Sequence, residues 1–255
     1  MDTMKINKKN TQMVAHAGLC GMETANTLAG TIAAGNRTYY GIEVDVRVTK
    51  DGELVLVHND NLLDAAGVDM PIKAHTAEEL MAVPLFDRRY FMGMEKYNIQ
   101  AGPARHRTDL RVARFEEYIR VCKKYGKVAV TELKDRMSPE EIAYALRVVA
   151  EHDYRPMVTF ISFVWENLVE LRRQCPEATV QFLTDERRVF TDEFLDEVAA
   201  AGFDLDIHCF TITHELVERI HARGIKVNCW TVDDPAWAER IIDMGVDYLT
   251  SNILE

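Results

Sequence analysis

The sequence predicts an α/β protein, a closed (β/α)8 barrel with a small insertion after the second barrel strand. Apolar strand-like segments alternate with segments of helical periodicity along nearly the whole chain. This order requires a parallel sheet, and about eight strand–helix units, counted without the hairpin arm Leu54–Val57, are the number that closes a TIM barrel. A doubly wound open sheet is the alternative, but neither a GxGxxG nor a Walker A sequence marks a nucleotide site.

The strands are predicted from short apolar or alternating runs that end at turn residues. In chain order they are Met13–His16, Ile42–Val48, Leu54–Val57, Val128–Leu133, Met157–Ser162, Val180–Thr184, Leu205–Phe210, Val227–Val232 and Tyr248–Thr250. The helices between them are predicted from amphipathic periodicity, from N-caps such as Ser138, and from glycines just after their ends. They are Thr24–Ala34, Phe115–Lys124, a helix starting at Pro139, Trp165–Gln174, Asp192–Ala201, His214–Arg223 and Pro235–Met244.

The composition excludes some classes of protein. The 255 residues are 47% hydrophobic, enough for a sizeable core, and we expect one barrel domain over residues 1–255. The net charge of -11 argues against nucleic acid as a partner, although a bound cation could still admit a small anionic substrate. The sequence does not predict an oligomeric state.

No apolar run approaches the ~20 residues of a transmembrane helix, and the polar N-terminus has no signal-peptide core. We therefore expect a cytoplasmic protein, while a secreted chain with its signal removed would look the same. The 5 cysteines include no CxxC pair, so we expect buried apolar side chains in a reducing compartment and neither disulfides nor a zinc site.

The hairpin from Tyr40 to Asp60 carries the most informative pattern. Between Ile42 and Val48, apolar residues alternate with polar ones, so Glu43 and Asp45 lie on the same strand face. A turn at residues 50–52 then returns the chain, and the second arm brings His58 beside these carboxylates. A solvated edge hairpin is the alternative, but buried carboxylates on a strand face would indicate a bound cation.

Further polar side chains are expected where barrel strands end, which is where such barrels hold their active sites. They are His16, Glu132, Lys134 and Trp230. Three carboxylates from two adjacent strands would form an all-oxygen site for one divalent cation, Mg²⁺ or Ca²⁺. Histidines suit acid–base work, and a lysine can hold a phosphate. Together these groups indicate cleavage of a phosphodiester.

The motifs around these residues resemble those of the glycerophosphodiester phosphodiesterases, in order and over nearly the whole chain after residue 13. They are His16-Ala17-Gly18, Asn26-Thr27, Glu43-x-Asp45, Thr49-x-Asp51-Gly52, Val57-His58, Glu132-x-Lys134, Trp230-Thr231-Val232 and Gly245-Val246-Asp247. The resemblance implies a TIM barrel that hydrolyses glycerophosphodiesters to glycerol 3-phosphate and an alcohol. It also implies roles in lipid and glycerol metabolism.

Carried over by position, the resemblance assigns metal binding to Glu43, Asp45 and Glu132. His16 and His58 match the acid–base pair. Lys134 matches a phosphate-contacting lysine, and Trp230 is a candidate substrate contact. The two histidines cannot be assigned to the acid and base roles from the sequence.

The sequence departs from the family pattern near the expected substrate. Ala17 stands where the family usually has arginine, and Ala25 where it has glutamate. Asn59 rather than aspartate follows His58, and Asp64-Ala65-Ala66 replaces an expected arginine and threonines. We therefore expect a phosphodiesterase with altered substrate handling. A phosphodiester lyase like the phosphatidylinositol-specific phospholipases C, or a non-catalytic binding barrel, would also account for these changes.

Residues 59–112 are too long for a simple strand-to-helix loop, since loops beyond ~15 residues are usually lids or small subdomains. They carry several aromatic residues and the cationic group Arg105-His106-Arg107. We predict an insertion or lid over the barrel mouth, and hypothesise that Arg105 or Arg107 replaces the arginine missing at Ala17. The alternative is a solvated basic patch and weaker phosphate binding.

Overall fold

The computed structural model describes residues 2–87 and 107–255. In these residues the chain forms nine β-strands, eight of which close a barrel. They are β1 (Gln12–Ala15), β2 (Gly41–Val48), β3 (Leu54–Leu56), β4 (Val128–Leu133), β5 (Val158–Ser162), β6 (Thr179–Thr184), β7 (Asp204–His208), β8 (Val227–Trp230) and β9 (Tyr248–Ser251). Neighbouring barrel strands are parallel, β1 pairs with both β2 and β9, and β3 adds to β2 as an antiparallel arm. The predicted fold class is confirmed.

The α-helices of the described residues lie between successive strands. They are α1 (Leu28–Gly35), α2 (Leu63–Ala66), α3 (Ala77–Met81), α4 (Phe115–Tyr125), α5 (Pro139–Glu151), α6 (Trp165–Gln174), α7 (Asp192–Ala201), α8 (His214–His221) and α9 (Pro235–Asp243). Helices α2 and α3 belong to the insertion after β3. No helix of the described ranges combines the length and apolar composition needed to cross a membrane.

Local capping explains why several helix ends agree with the sequence. Ser138 and Glu141 form a capping box at the start of α5, whose first residue is Pro139, and Thr191 caps α7 through its hydroxyl. The predicted start of the first helix at Thr24 is wrong, because Thr27 is the N-cap and the helix begins at Leu28. Asn26, in the left-handed region with φ 56°, turns the chain just before that cap.

The alternation along β2 sorts its side chains between two environments. Ile42, Val44 and Val46 belong to the main apolar core, together with residues of the surrounding helices. Glu43 and Asp45 point the other way, into the barrel, where Val130 and Ile161 of the neighbouring strands belong to a smaller apolar cluster. The solvated edge hairpin is therefore excluded, since Glu43 is 3% and Asp45 2% exposed.

The insertion has an apolar core of its own. Its buried residues Leu62, Ile72, Leu80 and Leu85 cluster with Val55 of β3. Residues 88–106, including most of the predicted aromatic and basic content, lie outside the described residues. The insertion's role as a lid therefore stays a prediction.

Glu255 ties the two ends of the described chain together. Its carboxylate accepts hydrogen bonds from Thr3 and Thr38 and pairs with Lys5 at 2.7 Å. Burial alone would raise the pKa of Glu255, but the bonds to Lys5, Thr3 and Thr38 lower it to about 2.

We predict that Glu255→Gln lowers the free energy of unfolding at neutral pH. A depressed carboxylate pKa contributes stability above the ordinary value of 4.5, and this contribution is lost as the pH falls towards about 2. Urea unfolding at several pH values should therefore show a gap between wild type and variant that closes in acid. Glu239→Gln, on an exposed part of α9, is the matched control. A gap that does not change with pH would contradict this account.

Candidate active site

A cavity of about 230 Å³ opens where the barrel strands end. Seven of the predicted site residues line it: His16, Glu43, Asp45, His58, Glu132, Lys134 and Trp230. Neighbouring strands bring most of them together, because β1, β2 and β4 are adjacent in the barrel. The antiparallel arm β3 adds His58, whose preceding residue Val57 donates its backbone N–H to the carbonyl of Asp45 at 3.0 Å.

The three carboxylates form one compact group. Asp45 lies directly opposite Glu132 in the β2–β4 register, and Glu43 is on the same face two residues earlier. One oxygen from each lies within 4.8 Å of the others, and all three residues are buried. An all-oxygen group of this kind matches the ligands that Mg²⁺ and Ca²⁺ prefer. The residues thus fit a divalent cation.

Burial and mutual repulsion dominate the electrostatics of this group. Burial raises the pKa of Glu43 well above its usual range, and the charges of Asp45 and Glu132 add to the effect. Burial, followed by the charge of Asp45, raises the pKa of Glu132 to about 8. For Asp45, burial is outweighed by nearby positive charge, chiefly that of Lys134, and its pKa is lowered. Full ionisation of all three carboxylates is therefore unfavourable without a bound cation.

Each carboxylate is held by a specific donor. The backbone N–H of Ala17 donates to Glu43 Oε2 at 2.8 Å. Asn26 Nδ2 donates to Asp45 Oδ2 at 2.7 Å, and the Asp45 N–H donates back to Asn26 Oδ1 at 2.9 Å. Lys134 Nζ lies 3.0 Å from Glu132 and 3.3 Å from Asp45. These contacts fix the oxygens before any ligand binds.

His16 is oriented by two residues from the other end of the chain. Its Nδ1 lies 2.7 Å from Asn252 Oδ1, and Asn252 Nδ2 donates to Asp233 Oδ2 at 2.6 Å. Cys20 Sγ also donates to Asn252 Oδ1. The His16 Nε2 lies 3.9 Å from Glu43 Oε2 at the cavity. Burial lowers the pKa of His16, which favours the neutral imidazole.

His58 has a similar pair of neighbours but is exposed. Its Nδ1 lies 2.8 Å from Asn59 Oδ1, and Asn59 Nδ2 donates to Asp64. Its backbone carbonyl accepts two bonds from the guanidinium of Arg47, at 2.7 and 2.9 Å. The second strand arm and Arg47 therefore hold the main chain of His58, while Asn59 orients its ring.

Aromatic side chains form part of the cavity lining, which we call the aromatic wall. The Trp230 ring lies edge-on to the rings of Phe163 and His208, with ring centroids 5.7 and 5.0 Å apart. Its Nε1 donates a hydrogen bond to the carbonyl of Asp206. Phe163 and Trp230 line the cavity. Such a wall can pack against a small apolar or glycerol-sized group.

The sequence missed several residues that shape this site. The roles of Asn252 and Asp233 depend on contacts spanning more than 200 residues, for which the sequence carries no local signal. Asp206 also lines the cavity, and its Oδ1 is buried without a hydrogen bond among the described residues. Burial raises the pKa of Asp206 well above its usual range. The alternation of Asp204, Asp206 and His208 on one strand face could have indicated it.

The cationic group of the insertion is only partly described. Arg105 lies outside the described residues, so its proposed phosphate contact stays a prediction. Arg107 pairs with Glu23 at 3.1 Å, with Asp87 at 3.4 Å and with Asp109 at 2.6 Å. It is not among the described residues that line the cavity. To reach a phosphate there, Arg107 would have to break these pairs.

We predict that Asn26→Ala lowers the free energy of unfolding by about 1–3 kcal/mol, because a buried carboxylate loses its partner. Alanine must also adopt the left-handed backbone that asparagine tolerates. Asn26→Gly loses the same side chain without that strain, so it should be more stable than Asn26→Ala. Chemical denaturation of the three proteins measures both effects. Equal stability of Asn26→Ala and wild type would show that the hydrogen bonds between Asn26 and Asp45 do not stabilise the fold.

Comparisons with known proteins agree with this geometry. The model of the "Glycerophosphoryl diester phosphodiesterase family" matches residues 16–254. A glycerophosphodiester phosphodiesterase of Caldanaerobacter subterraneus subsp. tengcongensis is 25% identical over 241 residues, which are 93% of this chain and 92% of that one.

Two solved structures are similar as well. A glycerophosphodiester phosphodiesterase from Parabacteroides distasonis is 27% identical, with a TM-score of 0.74 and coverage of 96% of this chain and 94% of that one. An Oleispira antarctica phosphodiesterase, solved in complex with the product sn-glycerol-3-phosphate, is 25% identical, with a TM-score of 0.81 and coverage of 95% and 93%. The resemblance found in the sequence motifs and the enzyme class that it implied are confirmed: the chain belongs to the glycerophosphoryl diester phosphodiesterase family.

Proposed function

We propose that the protein hydrolyses glycerophosphodiesters to glycerol 3-phosphate and an alcohol, with one divalent cation, Mg²⁺ or Ca²⁺, and two histidines. The observation that carries the proposal is that the buried carboxylate group, His16 and His58 line one cavity. The relative that was solved with sn-glycerol-3-phosphate supports the choice of substrate.

Glu43, Asp45 and Glu132 would hold the cation. When bound, a divalent cation supplies positive charge that stabilises the developing charge on the phosphate. Lys134, already in contact with two of these carboxylates, adds a fixed positive charge beside the phosphate position. Trp230 would pack against the glycerol moiety at the aromatic wall.

The hydrogen bonds around His16 support a role as the base. Asp233 accepts hydrogen bonds only, so the Asn252 amide must turn its NH₂ group to Asp233 and its oxygen to His16. His16 Nδ1 must then carry the proton, because it faces that oxygen. Nε2 is left with a lone pair at the cavity and can accept a proton from the attacking hydroxyl.

His58 is then the acid that protonates the leaving alcohol. Asp64 fixes the Asn59 amide in the same way, so His58 Nδ1 donates to Asn59, and Nε2 would be the nitrogen that protonates the leaving alcohol. Because His58 is exposed, it can take up a proton from solvent between turnovers. The attacking hydroxyl is water or the glycerol 2-hydroxyl, whose cyclic product water would then open.

We predict that Glu43→Gln and Glu132→Gln each weaken binding of Mg²⁺ or Ca²⁺ and abolish turnover while the fold is retained, because each removes one charged ligand. Titration calorimetry measures the binding, circular dichroism the fold, and release of glycerol 3-phosphate from glycerophosphoethanolamine the turnover. The exposed Glu239→Gln should behave as wild type. Full activity in excess chelator would refute the need for a cation.

We predict that His16→Ala and His58→Ala each lower kcat by about 10²–10⁴-fold. A p-nitrophenol leaving group needs little protonation, so His58→Ala should lose much less activity on glycerophospho-p-nitrophenol than on glycerophosphoethanolamine. His16→Ala should lose similar activity on both substrates. Equal losses for His58→Ala would contradict its role as acid.

His75→Ala, at a partly exposed histidine of the insertion that does not line the active-site cavity, is the matched control and should leave both rates unchanged. Identification of the product by phosphorus NMR distinguishes hydrolysis from lyase chemistry. A cyclic phosphate as the sole final product would replace the hydrolase proposal with a lyase.

A further inference from the structure

A second cavity of about 300 Å³ lies next to the active-site cavity, between the end of β3, the loop after β1 and the insertion. We call it the side cavity. Its apolar lining is formed by Leu56, Val57, Leu62, Ala65, Leu85 and Val112. A volume of this size is at the lower end of the range for small-molecule sites.

The side cavity and the active-site cavity share Ala25, Asn26 and His58 as lining residues. His58 therefore stands at the boundary between them. Asn59 holds its Nδ1, and the residue lines both cavities. An alcohol that leaves the phosphate next to His58 would have its carbon chain directed away from the carboxylate group and towards the side cavity.

The chemistry of the side cavity suits an apolar group. Val57, Leu62, Leu85 and Val112 are 5% exposed or less and belong to the apolar core of the insertion. Polar side chains, such as Asn61 and Asp64, are present in the lining, but no lysine or arginine is among its described residues. A charged phosphate would find no cation there, whereas an alkyl chain would exchange water for apolar contacts.

We propose that the side cavity binds the alcohol group of the substrate and favours glycerophosphodiesters whose alcohol carries an apolar chain. This inference rests on the proposed function, since His58 must act on the leaving alcohol. It adds a specificity for the far end of the alcohol, which the side cavity would bind, whereas the catalytic residues would act on the phosphate and the leaving oxygen.

The test is a series of glycerophospho-n-alkanols with methanol, butanol and hexanol as the leaving alcohols. Butanol and hexanol have nearly the same acidity, so differences between them report binding and not chemical reactivity. We expect kcat/KM to rise by up to about fourfold per added CH₂, the value for full burial of one methylene, until the cavity is filled. The ester of 1,4-butanediol, a neutral but polar alcohol, should be a poorer substrate than the butanol ester; a cationic alcohol is unsuitable because Asp64 lines the cavity.

Ala65→Phe, on the short helix α2, would fill part of the side cavity and should abolish the increase from butanol to hexanol. Ala82→Phe makes the same change at an exposed position of the insertion that does not line the cavity, and should keep the wild-type slope. If Ala65→Phe fails to fold, the series on wild type decides alone.

The outcomes separate the two proposals. A series that is hydrolysed at equal rates regardless of chain length, or a preference for the polar alcohol, overturns this inference and leaves the proposed function standing. Failure to hydrolyse any member with Mg²⁺ or Ca²⁺ overturns the proposed function, and this inference with it.

Discussion

The structure of the barrel mouth depends on one constraint, the burial of three carboxylates within 4.8 Å of one another. At an effective dielectric constant of about 20, two like charges 4 Å apart repel by about 4 kcal/mol. Burial, together with this repulsion, raises the pKa values of Glu43 and Glu132, so the group cannot stay fully ionised without compensation. The donors from Ala17, Asn26 and Lys134 hold the oxygens in place, and a divalent cation would supply the remaining charge.

The fold could be predicted from the sequence wherever local signals decide the structure. Strand β4 and helices α6 and α7 begin and end where periodicity and end residues predict. The prediction failed where tertiary contacts override local preference. Thr24–Ala34 has helical periodicity, yet Asn26 is drawn into a left-handed turn by its bonds to Asp45 on the neighbouring strand. The predicted strand Leu205–Phe210 stops at His208, where the chain turns.

Some residues of the candidate site could likewise be predicted from the sequence, and others could not. Glu43, Asp45 and Glu132 could be placed together because strand alternation and adjacency in the barrel are sequence properties. Asn252 and Asp233 could not, because only closure of the barrel between β1 and β9 brings them to His16. The ion pairs of Arg107 could not be predicted either, because two of its three carboxylate partners, Glu23 and Asp87, are distant from it in the chain.

The two histidines share a feature that follows from the same charge constraint. Each imidazole meets a neutral amide, Asn252 or Asn59, and each amide is fixed by a carboxylate behind it. A carboxylate in direct contact would orient the ring equally well but would place a further acidic group beside the three carboxylates of the site. An amide transmits the orientation while keeping that charge one residue farther from the substrate phosphate. In a site without an arginine at position 17, this spacing reduces the repulsion that an anionic substrate must overcome.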